Sequence, residues 1–444
     1  MTASSRRTFL KRSAATAVGL SLGPRFWTKA WGETPFGPLQ DDPLLRLPAD
    51  FSYKIVAETG FPLTGGARPF ARPNFPDLNV AFPQSDNTVV LSTSHEVPAE
   101  FPLLVPAPGE EYDRVTGGAI TSLHLREDLT VLGGAYNAGG MLANCSGSGT
   151  PWGTVLTGEE ATNTFEKAHG YVWEVDVKNN SKTKIPGMGR FDHETAVVHA
   201  ATGTVYLTQD AGTGYLYRYL PNNTSQTYGA LAAGGGTLQV FMAATRPANP
   251  GDTVTGSWAA IGDPEVISVP VGALAFNRLE GGAFDPFDAN RFYFTETADP
   301  THKGAVWRLN VTTNSLERWV GSSSSTAMCM PDNLAFDCAG NVFLTEDRSD
   351  AGPGSANRVL FVDRGTGSVH TFAELVQYWE TPDPPGNVAD ETTGPAFWLR
   401  PDGSSVLFLN LQRAFPFLGL TLAITGPFAV PTTTSGSAAL PILS

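Results

Sequence analysis

The chain reads Val342-Phe343-Leu344-Thr345-Glu346-Asp347 near its C-terminal end, a short apolar run that ends in a hydroxyl and two acids. Continuous apolar runs of this length are typical of β-strands that are buried on both faces. Similar runs with polar, mostly acidic ends occur at residues 89–96, 155–160, 205–210, 292–297 and, more loosely, 406–412. Six copies at a spacing of roughly 50 to 90 residues predict the blades of a β-propeller.

A second element precedes several of these runs: a polar cluster, a short apolar strand and a turn. It is clearest at residues 280–286, 332–340 and 391–403, and residues 193–203 fit as well. The chain has 47 Gly and 34 Pro, a content that favours many strands and turns. We therefore expect an all-β fold, a single six-bladed β-propeller domain over residues 31–444. One blade is expected to combine strands from both ends of the chain.

The polar ends of the runs predict a metal site in the central channel. The innermost strands of a propeller run side by side around its axis, so equivalent positions at their ends face one channel. The acids at such positions are Glu96, Glu159 or Glu160, Glu194, Asp210, Glu280, Glu296, Asp332, Glu346 and Glu391. Carboxylates crowded in one place raise each other's pKa unless cations neutralise them. The alternative is that some of these acids cap turns or pair with arginines, namely Arg190, Arg278, Arg348 and Arg413.

Cys145 and Arg278 add two other kinds of chemistry to the ring. Cys145 lies in a Gly-rich turn at the position where other blades present an acid. A thiolate there would be a soft ligand for a transition metal such as iron, whereas oxygen ligands suit Ca²⁺. A buried, inert cysteine is the alternative. Arg278 stands two residues before Glu280, and its guanidinium could bind a phosphoryl group in bidentate fashion.

The N-terminus predicts export of the folded protein. Residues 5–11 read Ser-Arg-Arg-Thr-Phe-Leu-Lys and precede a mildly apolar stretch, which is the pattern of a Tat signal peptide at residues 1–30. The alternatives are a basic arm or a membrane anchor, but the apolar run is about half the roughly 20 residues that a spanning helix needs. We expect a periplasmic or secreted protein that engages the Tat export machinery and has no stable membrane insertion.

The charge of the chain excludes one class of partner. The formal net charge is −14, and residues 1–30 carry six basic and no acidic side chains, so the mature chain would carry −20. A strongly acidic protein does not attract nucleic acid over long range. We expect a monomer that acts on a small molecule and does not bind nucleic acid.

Three cysteines are an odd number for an exported chain. Cys329 and Cys338 are close enough in sequence to form a disulfide, which would leave Cys145 as the unpaired thiol. The chain has no nucleophile elbow with an ordered Ser-His-Asp triad, no phosphate-binding P-loop and no His-rich zinc motif. Metal-assisted hydrolysis is the chemistry that remains.

These motifs resemble the PhoX-type alkaline phosphatases, a family of Tat-exported β-propellers. The resemblance is carried by residues 144–147 with 150–160, and by residues 189–194, 278–280, 331–333, 391–395 and 401–403. It implies a six-bladed propeller that cleaves phosphomonoesters at a pair of ferric ions with calcium ions around a bridging oxide.

The resemblance also implies a role for eight residues. The implied metal ligands are Cys145, Glu194 and Glu280 for Fe³⁺ and Glu160, Asp332 and Glu391 for Ca²⁺. Arg278 and Asn333 are the implied catalytic residues, in contact with the phosphate. Two other functions stay open on the residues alone: a calcium propeller that hydrolyses lactones or other esters, and a non-catalytic propeller that binds a ligand at its channel mouth.

Overall fold

Short apolar runs between turns fold into strands throughout the computed structural model, which describes residues 35–65, 70–99, 111–297, 303–321, 328–348, 356–376, 391–414 and 418–429. These residues form thirty strands and one 3₁₀ turn at Pro186–Met188, with no α-helix among them. Nothing helical in this part of the chain is long and apolar enough to cross a membrane. The predicted signal peptide and the residues after position 429 lie outside the described residues.

Four short strands precede the first blade, and the first two blades are regular four-stranded meanders. The early strands are β1 (Leu45–Arg46), β2 (Ser52–Glu58), β3 (Pro62–Leu63) and β4 (Phe70–Ala71). Blade 1 contains β5 (Pro76–Pro83), β6 (Val89–His95), β7 (Gly118–Leu125) and β8 (Val131–Met141). Blade 2 contains β9 (Asn144–Gly149), β10 (Val155–Glu159), β11 (Val172–Asp176) and β12 (Ser181–Lys184). All neighbours within a blade are antiparallel.

Blade 4 takes its outermost strand from the chain segment that also completes blade 3. Blade 3 contains β13 (His193–Val198), β14 (Val205–Gln209), β15 (Gly214–Pro221) and β16 (Gly236–Met242). The strands that follow are β17 (Thr253–Thr255), β18 (Ser257–Ala260) and β19 (Ala275–Phe276); β18 extends blade 3 and β19 pairs with β15. Blade 4 contains β20 (Leu279–Asp285), β21 (Asp288–Glu296), β22 (Ala305–Asn310) and β23 (Ser315–Gly321), with β17 as its outermost strand.

Blades 5 and 6 each borrow a strand from the N-terminal part of the chain. Blade 5 contains β24 (Pro331–Phe336), β25 (Val342–Glu346), β26 (Arg358–Val362) and β27 (Val369–Leu375), and β1 pairs with β27. Blade 6 contains β28 (Thr392–Leu399), β29 (Ser405–Ala414) and β30 (Leu418–Thr425), and β2 is its outer strand. The predicted closure by strands from both ends is therefore confirmed.

The first strands of the blades surround the central channel. They lie next to one another in the order β5, β9, β13, β20, β24 and β28, and β28 contacts β5 again. This closed ring of six blades confirms the predicted all-β propeller. Radial repetition of the blades leaves only short, protected sheet edges.

The six sequence repeats are the second strands of the blades, and their side chains supply the core. Successive side chains of a strand point to opposite faces, so each second strand packs against both neighbouring blades. In β25, Phe343 packs in the cluster shared with blade 6, whereas Leu344 packs in the cluster shared with blade 4. Six buried apolar clusters of this kind fill the six interfaces between blades.

The structure corrects the disulfide expectation. All three cysteines are free thiols, and Cys329 and Cys145 are buried. Cys338 lies in the turn after β24, where its Sγ is 3.3 Å from Ser405 Oγ. Cys329 lies before β24, at the opposite end of that strand, so closeness in sequence did not bring the two sulfur atoms together.

Candidate metal centre in the central channel

The first strand of each described blade carries a β-bulge near its start. In blade 4, Leu279 pairs with Glu296 but Gly282 pairs with Phe294, so three steps on β20 match two on β21. The same shift occurs in the other five blades. The second residues of the six first strands are Asp77, Cys145, Glu194, Glu280, Asp332 and Thr393. A bulge changes the direction of the side chains at its position, so the start of each first strand can direct a metal-ligand side chain toward the axis.

Four blades enter the channel through a residue with a left-handed backbone. Phe75, Ala143, Arg278 and Met330 have φ of 52°, 42°, 54° and 54°. Each lies two positions before the acid or thiol of its blade. This conformation is unfavourable for residues other than glycine, by about 1–3 kcal/mol each, and such strain clusters at functional sites. The repeated conformation indicates that the backbone before each of these donors is constrained by the position that the donor takes in the channel.

Five of the six second positions bring their ligand atoms together. The ligand atoms of Asp77, Cys145 and Glu194 lie within 4.8 Å of one another, and so do those of Glu194, Glu280 and Asp332. All five side chains are buried. Since Glu194 belongs to both groups, the two form one continuous cluster that receives donors from blades 1 to 5.

A third group extends the cluster toward solvent. The ligand atoms of Glu96, Cys145 and Glu160 also lie within 4.8 Å of one another. Glu96 and Glu160 follow β6 and β10 directly, and both keep partial access to solvent. The Nε2 of Gln412 donates to Glu96 Oε2 at 2.6 Å. The channel thus has a buried inner end and a more open outer end.

The electrostatics of the cluster require positive charge. Burial, followed by repulsion from neighbouring carboxylates, raises the pKa of Asp77, Glu160, Glu194, Glu280 and Asp332 well above their ordinary values. In addition, Asp77 Oδ1 and Glu194 Oε2 are buried without a hydrogen-bond partner in the described structure. Multivalent cations would satisfy these oxygens and reverse the cost of ionising them.

Cys145 adds one soft donor to the oxygen donors. Burial, and then the charges of Asp77 and Glu194, raise the pKa of the Cys145 thiol well above its ordinary value. A thiol in that state is inert as a nucleophile, but a metal ion deprotonates a coordinating thiol. One sulfur donor among carboxylates matches a transition metal beside harder, oxygen-preferring cations.

Arg278 is a fixed cation at the edge of the cluster. Its backbone N–H donates to Ala211 O at 2.8 Å, and its carbonyl accepts from Thr297 N at 2.9 Å. The guanidinium contacts Asp210 at 2.9 Å, Glu280 at 3.0 Å and Asp347 at 3.6 Å. Burial alone would lower the pKa of Arg278, but Glu280 and Asp210 raise it above its ordinary value. The side chain retains 31% exposure, so part of it is accessible to a ligand.

Asn333 is held inside the same channel. Its Nδ2 donates to Asp332 Oδ1 at 2.8 Å and approaches Glu194 Oε1 at 3.5 Å. Its Oδ1 accepts from Gly394 N at 2.7 Å, which fixes the orientation of the amide. Because the carbonyl oxygen is engaged with blade 6, the amide N–H groups point to the carboxylates of the cluster.

Comparisons with known proteins place this arrangement in a family. The model of a family described as alkaline phosphatase PhoX matches residues 108–414. The chain belongs to the PhoX alkaline phosphatase family. This membership confirms the predicted family and the phosphatase class.

Two solved structures resemble this member of the PhoX family to different degrees. PhoX of Pseudomonas fluorescens, in complex with the transition state analogue vanadate, is 19% identical, covers 88% of this chain and 97% of its own, and gives a TM-score of 0.67. That likeness confirms the propeller fold. A gluconolactonase of Xanthomonas campestris is 12% identical, covers 84% and 100%, and gives a TM-score of 0.39. A search of curated protein sequences found no match.

The PhoX family is metal-dependent, and the residues of this chain fit metal ions. The fit rests on orphaned, buried carboxylate oxygens and on a donor set of one thiol and several carboxylates. Five of the six predicted metal ligands lie in the cluster: Cys145, Glu160, Glu194, Glu280 and Asp332. The sixth, Glu391, directly precedes β28, and its carbonyl accepts from Gln412 N; it belongs to none of the three groups.

Three acids of the predicted ring are directed away from the channel of this PhoX family member. They are the last residues of their strands, and each is bound by neighbouring groups. Glu159 accepts from Leu142 N and lies 2.7 Å from His169 Nδ1. Glu296 pairs with Arg246 and accepts from Trp307. Glu346 pairs with Arg358. Since successive side chains of a strand point opposite ways, the next residue along faces the channel instead.

Asp77 is the one donor of the inner cluster that the sequence analysis missed. It lies before residue 108, outside the matched part of the PhoX family model. A signal was present, because Phe75-Pro76-Asp77 has the same form as Met330-Pro331-Asp332. The first copy was not recognised since no acid-rich motif surrounds it.

Proposed function

We propose that this chain is a phosphomonoesterase that releases phosphate from small organic phosphate esters, with Fe³⁺ and Ca²⁺ bound in the channel. One observation carries the proposal. The partly exposed cation Arg278 borders a cluster of a thiol and carboxylates in a chain of the PhoX alkaline phosphatase family. A phosphate dianion needs this combination of fixed positive charge and multivalent cations.

The proposed metal assignment follows the chemistry of the donors. Iron is assigned to the part of the cluster that contains Cys145, with Glu194 and Glu280 as its carboxylates, because a thiolate favours a transition metal. Calcium is assigned to the carboxylates of Glu160, Asp332 and Glu391, because oxygen donors suit a hard cation. Asp77 is added to the proposed ligands, since its carboxylate lies within 4.8 Å of both Cys145 and Glu194.

Residues of the chain itself would bind and orient the substrate. Arg278 would donate to phosphoryl oxygens from the edge of the guanidinium that carries Nη1, which is 3.6 Å from Asp347. Asp210 holds the other edge through contacts at 2.9 and 3.1 Å. Asn333 would donate to a third oxygen the N–H that only approaches Glu194, at 3.5 Å, while Gly394 N fixes the orientation of the amide. When bound, the cations supply charge against the phosphoryl oxygens. The chain's residues thereby define one orientation for in-line attack.

The proposed location is the periplasm or the medium, after Tat export. The support is the twin-arginine pattern at residues 5–11, which predicts a signal peptide over residues 1–30. We further propose that the exported protein is a monomer without stable membrane insertion. Its only expected partners are the Tat machinery and the phosphate ester, and the acidic charge disfavours nucleic acid.

The test is elemental analysis of the purified, exported protein beside hydrolysis of p-nitrophenyl phosphate, with and without added Ca²⁺. We expect bound iron and calcium and release of phosphate. The Cys145→Ala variant is expected to lose iron and activity together. Calcium without iron, combined with hydrolysis of lactones or carboxylic esters but not phosphate esters, would contradict the proposal. Metal binding with no hydrolysis of any ester would indicate a binding protein.

A further inference from the structure

Five of the six repeats carry, at one shared position, a polar side chain that has no role in the chemistry above. In each blade, the first residue of the first strand pairs with a residue near the end of the second strand. The shared position is the residue of the second strand just before that partner. The residues at this position, here called the clamp position, are Ser94, Gly158, Thr208, Thr295, Thr345 and Asn410. All except the glycine carry a side chain that can donate a hydrogen bond, and these five are fully or almost fully buried.

Four clamp side chains donate to the next blade, always to the same kind of acceptor. Ser94 Oγ donates to Cys145 O at 2.9 Å, Thr208 Oγ1 to Glu280 O at 2.6 Å and Thr295 Oγ1 to Asp332 O at 2.5 Å. Asn410 Nδ2 donates to Asp77 O. The four acceptors are the main-chain carbonyls of four donors of the metal cluster. A bond to this carbonyl restrains the backbone dihedrals that aim the donor side chain.

The clamp hydroxyls also accept from the bulge of their own blade. Leu78 N donates to Ser94 Oγ at 2.9 Å, and Thr195 N donates to Thr208 Oγ1 at 3.0 Å. Leu78 and Thr195 directly follow Asp77 and Glu194. A single hydroxyl such as that of Thr208 therefore holds the backbone beside Glu194 in one blade and the carbonyl of Glu280 in the next.

The two repeats that do not donate forward support the same interpretation. Thr345 accepts from Asn333 N at 3.0 Å and contacts only its own blade, and the blade after it presents Thr393 and no acid or thiol. At Gly158, an added Cβ would lie 2.5 Å from His193 O, so the backbone of blade 3 fills the space directly. The forward bond thus occurs where a metal donor must be placed and a side chain has room.

The amide of Asn410 is itself oriented. Arg72 is completely buried and donates from Nη2 to Thr421 Oγ1 at 2.6 Å. Thr421 Oγ1 in turn donates to Asn410 Oδ1 at 2.7 Å. With its oxygen engaged in this way, Asn410 must present its N–H to Asp77 O. Blade 6, which supplies no donor at its second position, contributes to the cluster through this chain.

We propose that Ser94, Thr208, Thr295 and Asn410 are positioning residues that set how tightly the channel holds its metal ions. The alternative is that these hydrogen bonds only join neighbouring blades and stabilise the fold. Partners in the shell behind metal ligands typically change metal affinity by about 10–100-fold. The inference rests on the metal centre of the proposed function, but not on the reaction.

The test compares Thr208→Val with Thr208→Ser in the purified metal-loaded protein. Valine keeps the shape of threonine and removes both hydrogen bonds, whereas serine retains the hydroxyl. Bound iron and calcium are followed by elemental analysis while EDTA removes them. We expect at least about tenfold faster metal loss for Thr208→Val, and a rate near that of the unaltered protein for Thr208→Ser.

Thr154→Val is the matched control, because Thr154 is also buried and donates to Glu174 Oε1 at 2.7 Å, at the start of β10 away from the cluster. It should lower the melting temperature without faster metal loss. Equal rates for Thr208→Val and the unaltered protein, or equally fast loss from Thr154→Val, would overturn the proposal. Because no substrate is present, these outcomes are independent of phosphatase activity, whose failure would instead appear in the p-nitrophenyl phosphate assay.

Discussion

Among single residues, Arg278 combines a backbone with positive φ and a guanidinium whose Nε and Nη2 are hydrogen-bonded to Asp210. Its positive φ and its two backbone hydrogen bonds fix where the side chain starts, and Asp210 fixes how the plane is turned. A lysine at this position would keep the charge but lose the planar fork that matches two phosphoryl oxygens. The geometry therefore matters as much as the charge.

We expect Arg278→Lys to lower kcat/KM for p-nitrophenyl phosphate by about 10²-fold, the typical cost of losing one preorganised donor. Metal content, measured by elemental analysis, should remain that of the unaltered protein. Arg246→Lys is the control, since Arg246 pairs with Glu296 and lies over Trp307 outside the cluster. Unchanged kinetics in Arg278→Lys would remove this side chain from the catalytic site.

Asp77 tests whether the cluster extends beyond the motifs that carry the family resemblance. Its Oδ1 is buried without a partner, and an amide in its place offers a weaker, neutral donor. We expect Asp77→Asn to lose bound metal at least about tenfold faster to EDTA than the unaltered protein. Asp128→Asn, an exposed loop substitution of the same kind, should have no effect. Normal retention of metal in Asp77→Asn would exclude the residue as a ligand.

A shift of one residue decides which acid faces the channel, and the sequence alone did not determine this shift. Thr157-Gly158-Glu159-Glu160 offers two adjacent acids, and only the position of the strand end relative to β9 directs Glu160 inward. Gln209 ends the second strand of its blade, at the position that Glu159, Glu296 and Glu346 hold in theirs, and not at the position of Glu160. It accepts from Tyr217 OH, so its lack of charge takes nothing from the cluster.

At the scale of elements, the bulge decides what the first strand can present. Gly394 lies in the bulge of β28 with φ of 56°, and its N–H donates to Asn333 Oδ1. A Cβ at this position would lie 1.9 Å from Asp77 O, a contact with backbone that no side-chain movement can relieve. Blade 6 therefore approaches blade 1 closely enough that only glycine fits.

We expect Gly394→Ala to destabilise the protein by more than about 4 kcal/mol or to prevent folding, as measured by denaturant unfolding. Gly403 is the control in the same blade, because its φ is 85° but nothing lies within 4 Å of its added Cβ. Gly403→Ala should cost only the backbone strain, about 1 kcal/mol. Similar costs for both variants would show that backbone conformation, and not the contact with Asp77, dominates at Gly394.

The second strands were predictable and the bulges were not, for a physical reason. A second strand packs on two blades, so it reads as a continuous apolar run that is visible in the sequence. A bulge is defined by the register of two strands, and it leaves only short polar signals such as the Pro-Asp pairs at residues 76–77 and 331–332. The donors Cys145 and Glu280 were found from their positions in the repeats and from the family motifs, and not from the bulges.

For the whole molecule, the fold concentrates negative charge on its own axis. Ring closure, with β2 completing blade 6, places donors from five blades in one buried cluster. Without cations, the folded chain can keep this cluster only by protonating it, since burial and mutual repulsion raise the pKa of its carboxyls. Folding and metal binding are therefore linked through protons.

The sign of this linkage gives a prediction for the metal-free protein. In the unfolded chain the carboxyls return to ordinary pKa values of 3.8 and 4.5, so above these the folded state binds more protons. The stabilisation is complete at low pH and is lost as pH rises through the raised folded values. Above about pH 7.5, one unit above the ordinary pKa of 6.5, the buried histidines are neutral in both states, because their pKa values are lowered in the folded state, and they do not contribute.

We therefore expect the melting temperature of EDTA-treated protein to fall by at least about 5 °C between about pH 7.5 and 9, as measured by calorimetry. The metal-loaded protein should change less, because bound cations keep the carboxylates ionised throughout. Glu194→Gln removes the carboxyl shared by both inner groups and should flatten the decline in the metal-free state. A metal-free melting temperature that stays constant or rises with pH would mean that the cluster is already ionised without metal, and the argument for cations from its charge would fail.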